Sequence, residues 1–534
     1  MVRAGAWESL AVATTGALTI AYLSNQKLKR TNAAGDPQKK EEEERHDNEE
    51  VVNTMLPSKT TTADGAQEEH RDDHETTTVG AAAVPPRKEE EHRHANEEVV
   101  ITMLPLETSD LMMQNVSSIS TITWYTGDIV NVKDDLRNRV ADILRANPWI
   151  AGRLAKRRNM KGTLTPSLVY CSNEETLVSQ RLDVIYQCYN NKDRDVIPLT
   201  RDTPYGQLPI ILKKLLVKYS NTLLDKEDGS LFRISMVPDC KEPHGRFALV
   251  VSLAHCIGDG QTFYNLQNML DLKKSNRNVV VSLNVHRKQE LTERIETALG
   301  GPDQASSLSS PSPGFVSRYL GGLTSSKFFG PPPSVKVFAI NDEWIRKQKL
   351  IAMENKPSND NMPNFVSTND IVTSQFFQCV DCDQGIMTMD FRGKVKDCFA
   401  TDAGNYFNYL ICRPEDYALP HNIRSAVHEL QTTGQRKPLT KPMTSLEHFR
   451  SKRQFGACSN WSSFYKPVSL GGGCVQDLHM PLLPTDSMSV PANFCSGMYI
   501  FRPGKSEKIA AMFAGHPKVL DALIASGMVG KDVY

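Results

Sequence analysis

The chain has 534 residues, with 62 Lys and Arg against 62 Asp and Glu, so its formal net charge is zero. Hydrophobic residues make up 40% and charged residues 23%, an ordinary globular composition that excludes collagenous, coiled-coil and polytopic membrane proteins. The length predicts roughly two to four domains. The eleven cysteines are odd in number and scattered, so we expect buried free thiols and not a disulfide framework.

Charge is divided unevenly along the chain. Residues 36–98 have a net charge of −11, residues 1–35 have +3 and residues 99–534 have +8. A surplus of +8 over more than four hundred residues is too dilute for a nucleic-acid interface, which needs clustered Lys and Arg. We therefore expect no nucleic-acid partner, whereas an anionic small molecule is compatible with the mildly basic body.

The apolar stretch at residues 6–23 is followed by Lys27, Lys29 and Arg30. A spanning helix needs about 20 apolar residues, and this stretch is shorter and contains Glu8. Residues 1–30 are therefore interpreted as an anchor for weak membrane association, a signal-like segment or part of an organelle transit peptide, and these alternatives stay open. A cytoplasmic or membrane-tethered location is favoured, and organelle targeting stays an alternative.

Residues 31–96 are of low complexity and acidic, and they are predicted to be disordered because they offer few apolar side chains for burial. They contain a duplication: residues 40–57 recur as residues 88–105 with 15 of 18 positions identical. The second copy leads into a first strand predicted at Val99–Leu104. The first copy would be a duplicate strand without a place in the sheet. A solvated charge run is favoured over metal binding for the histidines of this region.

From residue 97 the pattern is that of an α/β protein. Apolar residues at helical spacing predict a helix from Leu136 that ends at Asn147-Pro148. Residues 231–237 alternate with period two and residues 247–253 are almost continuously apolar, which predicts two strands, the second buried on both faces.

Residues 301–334 are rich in Pro, Ser and Gly and are predicted to link two halves, residues 97–300 and residues 335–534. The second half opens with a predicted strand, Val335–Ile340. Asn341 or Asp342 is expected to cap the helix that follows.

The main candidate for chemistry is the turn after the second buried strand, His255-Cys-Ile-Gly-Asp259-Gly260. A neutral imidazole near physiological pH can accept and return a proton within one catalytic cycle. No G-x-S-x-G motif accompanies it, and strand alternation would point Cys256 to the opposite face. His255 is therefore a candidate general base, and the alternative is a structural histidine whose partner is Asp259.

The H-x-x-x-D-G pattern resembles the signature of the chloramphenicol acetyltransferase-like superfamily, which includes plant BAHD acyltransferases, fungal O-acetyltransferases and condensation domains. The resemblance extends over residues 97–534, through further segments that match in order and spacing. They are Leu136–Leu154, Ser230–Met236, Thr368–Ser374, Met389–Gly393 with Asp402–Tyr406, and Ser459–Trp461.

The resemblance implies an α/β fold with two similar halves, each a mixed sheet flanked by helices, related by a pseudo-two-fold axis about a central channel. Acyl-CoA would enter from one mouth as co-substrate and the acceptor from the other. His255 would deprotonate an alcohol or amine that attacks the thioester directly, without a covalent acyl-enzyme. Ser459 and Trp461 would lie on the oxyanion or acceptor side.

The resemblance also implies supporting roles. Asp259 would organise the turn through an ion pair, for which Arg392 is the chosen partner, while Gly260 keeps the turn compact and Asn405 supports it. We expect no metal, no tightly bound cofactor, small-molecule donor and acceptor partners, and a monomer.

Departures from the family pattern leave the acceptor open. Residues 466–473 contain neither the Asp nor the Trp of the BAHD D-F-G-W-G motif, so the chain is expected to be a divergent member. One alternative is a condensation-like enzyme with a carrier-bound acyl donor. A second alternative is a non-catalytic scaffold with a blocked channel. A third is lipid ester synthesis at a membrane. The acyl chain length and the choice between O- and N-acylation also stay open.

Overall fold

The computed structural model describes residues 101–158, 164–190, 196–273, 280–301, 312–355, 363–436, 441, 443–483, 492–504 and 508–534. The predictions for residues 1–30 and 31–96 therefore lie outside the described residues. Within the described ranges, no helix combines the length and apolar character needed to cross a membrane.

A five-stranded sheet carries the predicted base. Its order is β12-β2-β7-β6-β5, with antiparallel pairs except for the parallel pair β5–β6. The strands are β2 (Ile119–Thr126), β5 (Tyr186–Cys188), β6 (Phe232–Pro238), β7 (Arg246–Leu253) and β12 (Val475–Pro481). The two predicted strands are thus β6 and β7, and β7 is buried along nearly its whole length.

The strand β12 comes from far along the chain and completes this sheet by pairing with β2. No prediction from the sequence placed residues after 335 in the sheet of the earlier residues. Burial explains the position of β12 in this sheet, because the second half of the strand is buried where it pairs with β2.

A three-stranded antiparallel sheet, of order β1-β4-β3, lies beside the first. Its strands are β1 (Ile101–Pro105), β3 (Arg153–Arg158) and β4 (Leu164–Cys171). The predicted first strand is therefore present as β1, which pairs with β4.

The third sheet has seven strands in the order β10-β9-β11-β13-β14-β8-β15. It is mixed, since β11 is parallel to both β9 and β13 and the other pairs are antiparallel. Its strands are β8 (Ser334–Ile340), β9 (Gln384–Asp390), β10 (Phe407–Cys412), β11 (Phe455–Asn460), β13 (Cys495–Phe501), β14 (Ala510–Gly515) and β15 (Val529–Asp532).

Helices cover the sheets, and the described α-helices are numbered here in chain order. They are α1 (Thr108–Met112), α2 (Lys133–Ala146), α3 (Glu174–Ile185), α4 (Leu208–Ile211), α5 (Ser220–Leu223), α6 (Gly260–Asn268), α7 (Gln289–Ala298), α8 (Pro313–Phe329), α9 (Asp342–Glu354), α10 (Thr368–Val380), α11 (Pro414–Tyr417), α12 (Pro420–Thr433), α13 (Ser445–Arg450) and α14 (Pro517–Ala525). The fold is therefore α/β, with mixed sheets flanked by helices, as expected.

Local sequence signals explain several boundaries. The predicted helix from Leu136 is α2, whose apolar face is fully buried. The predicted cap is Asn341, whose side chain accepts from the amides of Glu343 and Trp344 at the start of α9. Each large apolar side chain on the buried face of α2 contributes about 1.5–3 kcal/mol to the stability of the fold.

The segment expected to be a linker, residues 301–334, contains the 17-residue helix α8. Ser312 caps it by accepting from the amide of Phe315, and Pro313 occupies its first turn, where a missing N–H costs nothing. Phe315 then packs against Phe455 of the third sheet and against Phe494, which directly precedes β13. The Pro and Ser that suggested a loop are thus the start signals of a helix.

Candidate active site

His255 lies two residues beyond the end of β7, in the turn that leads into α6. It is half-buried, and it lines a cavity of about 420 Å³. The imidazole lies 5.9 Å from the ring of Phe407, measured between centroids. The rigid, buried strand β7 therefore holds the imidazole at the edge of an open cavity.

The environment of His255 favours its neutral form. Burial lowers the pKa of His255 below its ordinary value, while the contact of the imidazole with its own carbonyl and the charge of Asp259 oppose that shift. Nδ1 is buried without a hydrogen-bond partner among the described residues. Nε2 is therefore the nitrogen available to a substrate in the cavity.

Asp259 is held by Arg392 and does not hydrogen-bond to the imidazole within the described residues. Arg392 Nη1 donates to Asp259 Oδ2 at 2.8 Å and Nη2 donates to Oδ1 at 3.1 Å. The carboxylate also caps α6 by accepting from the amide of Thr262, and it accepts from the amide of Tyr406. Burial alone would raise the pKa of Asp259, but the charge and hydrogen bonds of Arg392 and these amides lower it.

Arg392 itself is almost fully buried and satisfied. Besides Asp259, it donates to the Asp390 carboxylate at 2.7 Å and to the carbonyls of Asp402 and Gly404. The structure thus brings together the two residues expected to pair, and Arg392 ties the His255 turn to residues 402–404.

Asn405 supports the backbone of His255. Its Nδ2 donates to the carbonyl of His255 at 2.9 Å and to Asp110 Oδ1 at 2.9 Å. The contact with His255 joins positions 150 residues apart.

A second buried ion pair, Asp110 with Arg287, was not predicted from the sequence. Arg287 Nε lies 2.7 Å from Asp110 Oδ2, and their side chains are 6% and 0% exposed. Arg287 also donates to the carbonyls of Ile257 and Ala403. Neither residue belongs to a recognised motif. In the sequence, each is one charged residue in a segment that has no other feature of a functional site.

Ser459 and Trp461 line the same cavity as His255. Ser459 is in β11, and Trp461 follows that strand. Trp461 Nε1 donates to Ser459 Oγ at 3.0 Å. Because an indole N–H donates only, this bond leaves the Ser459 hydroxyl hydrogen free to point at a ligand.

The glycines of the turn differ in how tightly they are packed. A Cβ added at Gly258 would lie 2.6 Å from Thr262 Cγ2, which is a clash. A Cβ added at Gly260 would lie 3.6 Å from Trp461 Nε1, which is ordinary contact. Gly260 lines the cavity, but Gly258 is the position where close approach demands glycine.

Cys256 is not available as a nucleophile. It is fully buried in the core, and burial raises the pKa of its thiol to about 12. Among the described residues, no group of three or more His, Cys, Asp or Glu side chains could hold a metal ion. The arrangement therefore offers the exposed Nε2 of His255 as a base and the free hydroxyl of Ser459 as a donor, beside an open cavity.

No protein-family model and no curated protein matches the chain. Among solved structures, F. graminearum TRI101 complexed with ethyl coenzyme A is similar at 13% identity and a TM-score of 0.48, over 80% of this chain and 97% of that one. TRI101 complexed with coenzyme A and deoxynivalenol is similar at 12% identity and a TM-score of 0.49, over 79% and 97%. Polyketide synthase associated protein 5 from Mycobacterium tuberculosis is similar at 14% identity and a TM-score of 0.43, over 79% and 96%.

Proposed function

We propose that the chain is a divergent acyltransferase of the chloramphenicol acetyltransferase-like superfamily. It would transfer an acyl group from acyl-CoA to an alcohol or amine without a covalent acyl-enzyme. The observation that carries the proposal is His255, a base held neutral by burial, at the edge of an open cavity with Asp259 turned away to Arg392. An open cavity also speaks against the scaffold hypothesis, which requires bulky side chains to block it.

The reaction follows from the positions of the groups. His255 Nε2 accepts the proton of the acceptor as its oxygen or nitrogen attacks the thioester carbon. The hydroxyl of Ser459 donates to the oxyanion of the tetrahedral intermediate. The carbon–sulfur bond then breaks, and the imidazolium returns the proton to the thiolate of CoA. Asp259, Arg392 and Asn405 act as positioning residues.

Release of free CoA by the full chain tests the proposal. Purified wild type would be incubated with a mixed acyl-CoA pool, with and without a mixed alcohol and amine pool. Loss of a general base typically costs 10²–10⁴-fold, so His255→Ala should lower acceptor-dependent release by about that factor.

The matched control is His244→Ala, because the His244 side chain is 84% exposed and outside the cavity. Circular dichroism would verify that both variants are folded. Equal activity of the two variants would contradict the role of His255. Acyl-CoA binding without any release would favour a carrier-bound donor.

A further inference from the structure

Four side chains with uncharged hydroxyls lie in one row across the sheet face that borders the cavity. Tyr409 on β10 is paired with Thr388 on β9, and Ser459 on β11 is paired with Tyr499 on β13. The four strands are neighbours in the order β10-β9-β11-β13. With strands about 4.8 Å apart, the row spans roughly 14 Å. These four residues are called the hydroxyl row.

The register between β9 and β11 places the two pairs of the hydroxyl row side by side. Cys458 of β11 is the partner of Met387 of β9, and both are buried in the core. Because side chains alternate along a strand, the residues that follow, Ser459 and Thr388, share the opposite face. All four members of the hydroxyl row line the cavity beside His255.

The hydroxyls of the row keep hydrogen-bonding capacity for a ligand. In the part of the chain that the structure describes, the hydroxyls of Tyr409, Tyr499 and Thr388 make no hydrogen bond. Ser459 accepts from Trp461 Nε1 and so keeps its own hydrogen for donation. Because these hydroxyls border the cavity, the oxygens of a ligand can form hydrogen bonds with them.

The carboxylates around the cavity are compensated within the protein, whereas the ammonium of Lys394 is not. Asp259 and Asp390 are both bound by Arg392, and Lys394 donates to the carbonyl of Asp390 at 2.7 Å. Burial raises the pKa of Tyr409 and of Tyr499 to about 12, so both phenols stay neutral. An ammonium would therefore find no free carboxylate among the described lining residues, whereas Lys394 has no carboxylate partner among them.

The rest of the wall suits a carbon skeleton. Met113, Val116, Ile119, Ile386 and Phe407 line the same cavity. Apolar walls with a few placed polar groups are typical of small-molecule sites, in which the polar groups fix orientation.

Resting on the proposed function, we infer that the acceptor is an uncharged alcohol with at least two further hydroxyl or carbonyl oxygens, bound by Thr388, Tyr409 and Tyr499 of the hydroxyl row while Ser459 donates to the oxyanion. Its reacting oxygen forms the ester bond to the acyl carbon as the carbon–sulfur bond of acyl-CoA breaks. Its proton passes through His255 to the CoA thiolate. Amines are excluded because Arg392 already binds the carboxylates of Asp259 and Asp390, and a hydroxy acid is the probe that tests Lys394.

The acceptor class is tested with one carbon skeleton and acetyl-CoA as donor. The probes are a cyclohexanetriol, cyclohexanol, cyclohexylamine and a hydroxycyclohexanecarboxylate, and CoA release is measured with the full chain. A neutral hydrogen bond corresponds to a factor of about three to ten in binding. The triol should therefore have the highest kcat/KM, by at least about threefold over cyclohexanol.

The row is tested with Tyr409→Phe and Tyr499→Phe, which remove one oxygen each. Each should raise the KM for the triol about three- to tenfold, with kcat and the KM for acetyl-CoA within about twofold of wild type. The control is Tyr319→Phe, the same change in α8 outside the cavity lining, which should change neither constant.

The outcomes separate this inference from the proposed function. Preference for the amine or the hydroxy acid would overturn the acceptor class while leaving the transferase intact. If these variants raise the KM for acetyl-CoA but not the KM for the triol, the hydroxyl row binds the donor, and the inference is overturned. If no probe releases CoA, equilibrium dialysis of the triol decides: binding weakened by Tyr409→Phe supports the row, and no binding overturns it.

Discussion

Two buried carboxylate–guanidinium pairs hold the His255 turn, and they do so at different points. Arg392 with Asp259 fixes the far end of the turn, at the cap of α6. Arg287 with Asp110 acts nearer the base, since Arg287 donates to the carbonyl of Ile257 and Asp110 accepts from Asn405. Both guanidiniums also bind carbonyls of residues 402–404.

The two pairs control different properties, the shape of the turn and the position of the base. The first pair uses motif residues, and it determines how the chain turns from β7 into α6. The second pair uses residues outside any motif, and through Asn405 it reaches the peptide of His255 itself. A short motif therefore specifies the turn, whereas the placement of the imidazole depends on residues brought in by the rest of the fold.

The largest effect is expected from removing one guanidinium of either pair. Arg392→Ala would leave Asp259 buried without its cation, and Arg287→Ala would do the same to Asp110. Breaking a buried pair in this way costs about 3–5 kcal/mol, so each variant should lose that much unfolding free energy in urea denaturation.

Arg137→Ala provides the matched control, because Arg137 forms an exposed pair with Asp183. Exposed pairs contribute about 0–1 kcal/mol, so this variant should be close to wild type. If Arg287→Ala lost as little unfolding free energy as Arg137→Ala, the pair of Arg287 with Asp110 would not be a structural support of the His255 turn.

Much of the fold could be predicted, because it depends on local signals. The buried run of β7, the apolar face of α2 and the cap at Asn341 each follow from nearby residues. The helix α8 was missed because Pro and Ser signal both a loop and a helix start. The placement of β12 depends on pairing between distant segments, for which one sequence gives no signal.

The candidate site divides in the same way. His255 and Asp259 could be identified because they share one turn, and Arg392 because its segment matched a motif. Asp110 and Arg287 are 177 positions apart, and neither differs in sequence context from a surface charge. Nothing in a single sequence shows that tertiary folding buries such a pair.

A smaller effect on stability, but a clear one on activity, is expected from Asn405→Ala. The change removes donors to the His255 carbonyl and to the Asp110 carboxylate, and a hydrogen bond to a charged group contributes about 1.5–3 kcal/mol. Without this support the His255 imidazole is displaced from the acceptor and catalyses proton transfer more slowly. The kcat should therefore fall roughly ten- to a hundredfold while the KM for acyl-CoA stays near wild type. Steady-state kinetics of CoA release would measure both constants.

Asn422→Ala is the control for this variant, since Asn422 makes one similar bond, to the carbonyl of Glu415 at the protein surface and outside the cavity lining. Its kcat should be unchanged. A loss of stability without any loss of kcat in Asn405→Ala would mean that the second pair supports the fold but not the base.

A change of one methyl group probes the first pair alone. Gly258→Ala would force its new methyl against Thr262, whose hydroxyl bonds both Asp259 and Arg392. Overpacking of this kind costs about 1–3 kcal/mol, which thermal or urea unfolding would show. Gly260→Ala makes ordinary contact with Trp461 and should change stability by less than about 0.5 kcal/mol. Equal losses in the two variants would contradict the close packing at Gly258.

The mildest change is a shift in pH dependence. The base must be neutral, so kcat/KM should fall as pH falls through the pKa of His255, which burial places below its ordinary value of about 6.5. The charge of Asp110 raises that pKa, so Asp110→Asn should lower it further and move the acid limb to lower pH. Profiles from about pH 5 to about pH 8, each normalised to its own plateau, would show this even if the variant is less stable. Exposed Asp183→Asn should leave the limb in place, and a limb that moved upward in Asp110→Asn would show that the second pair does not act on the base.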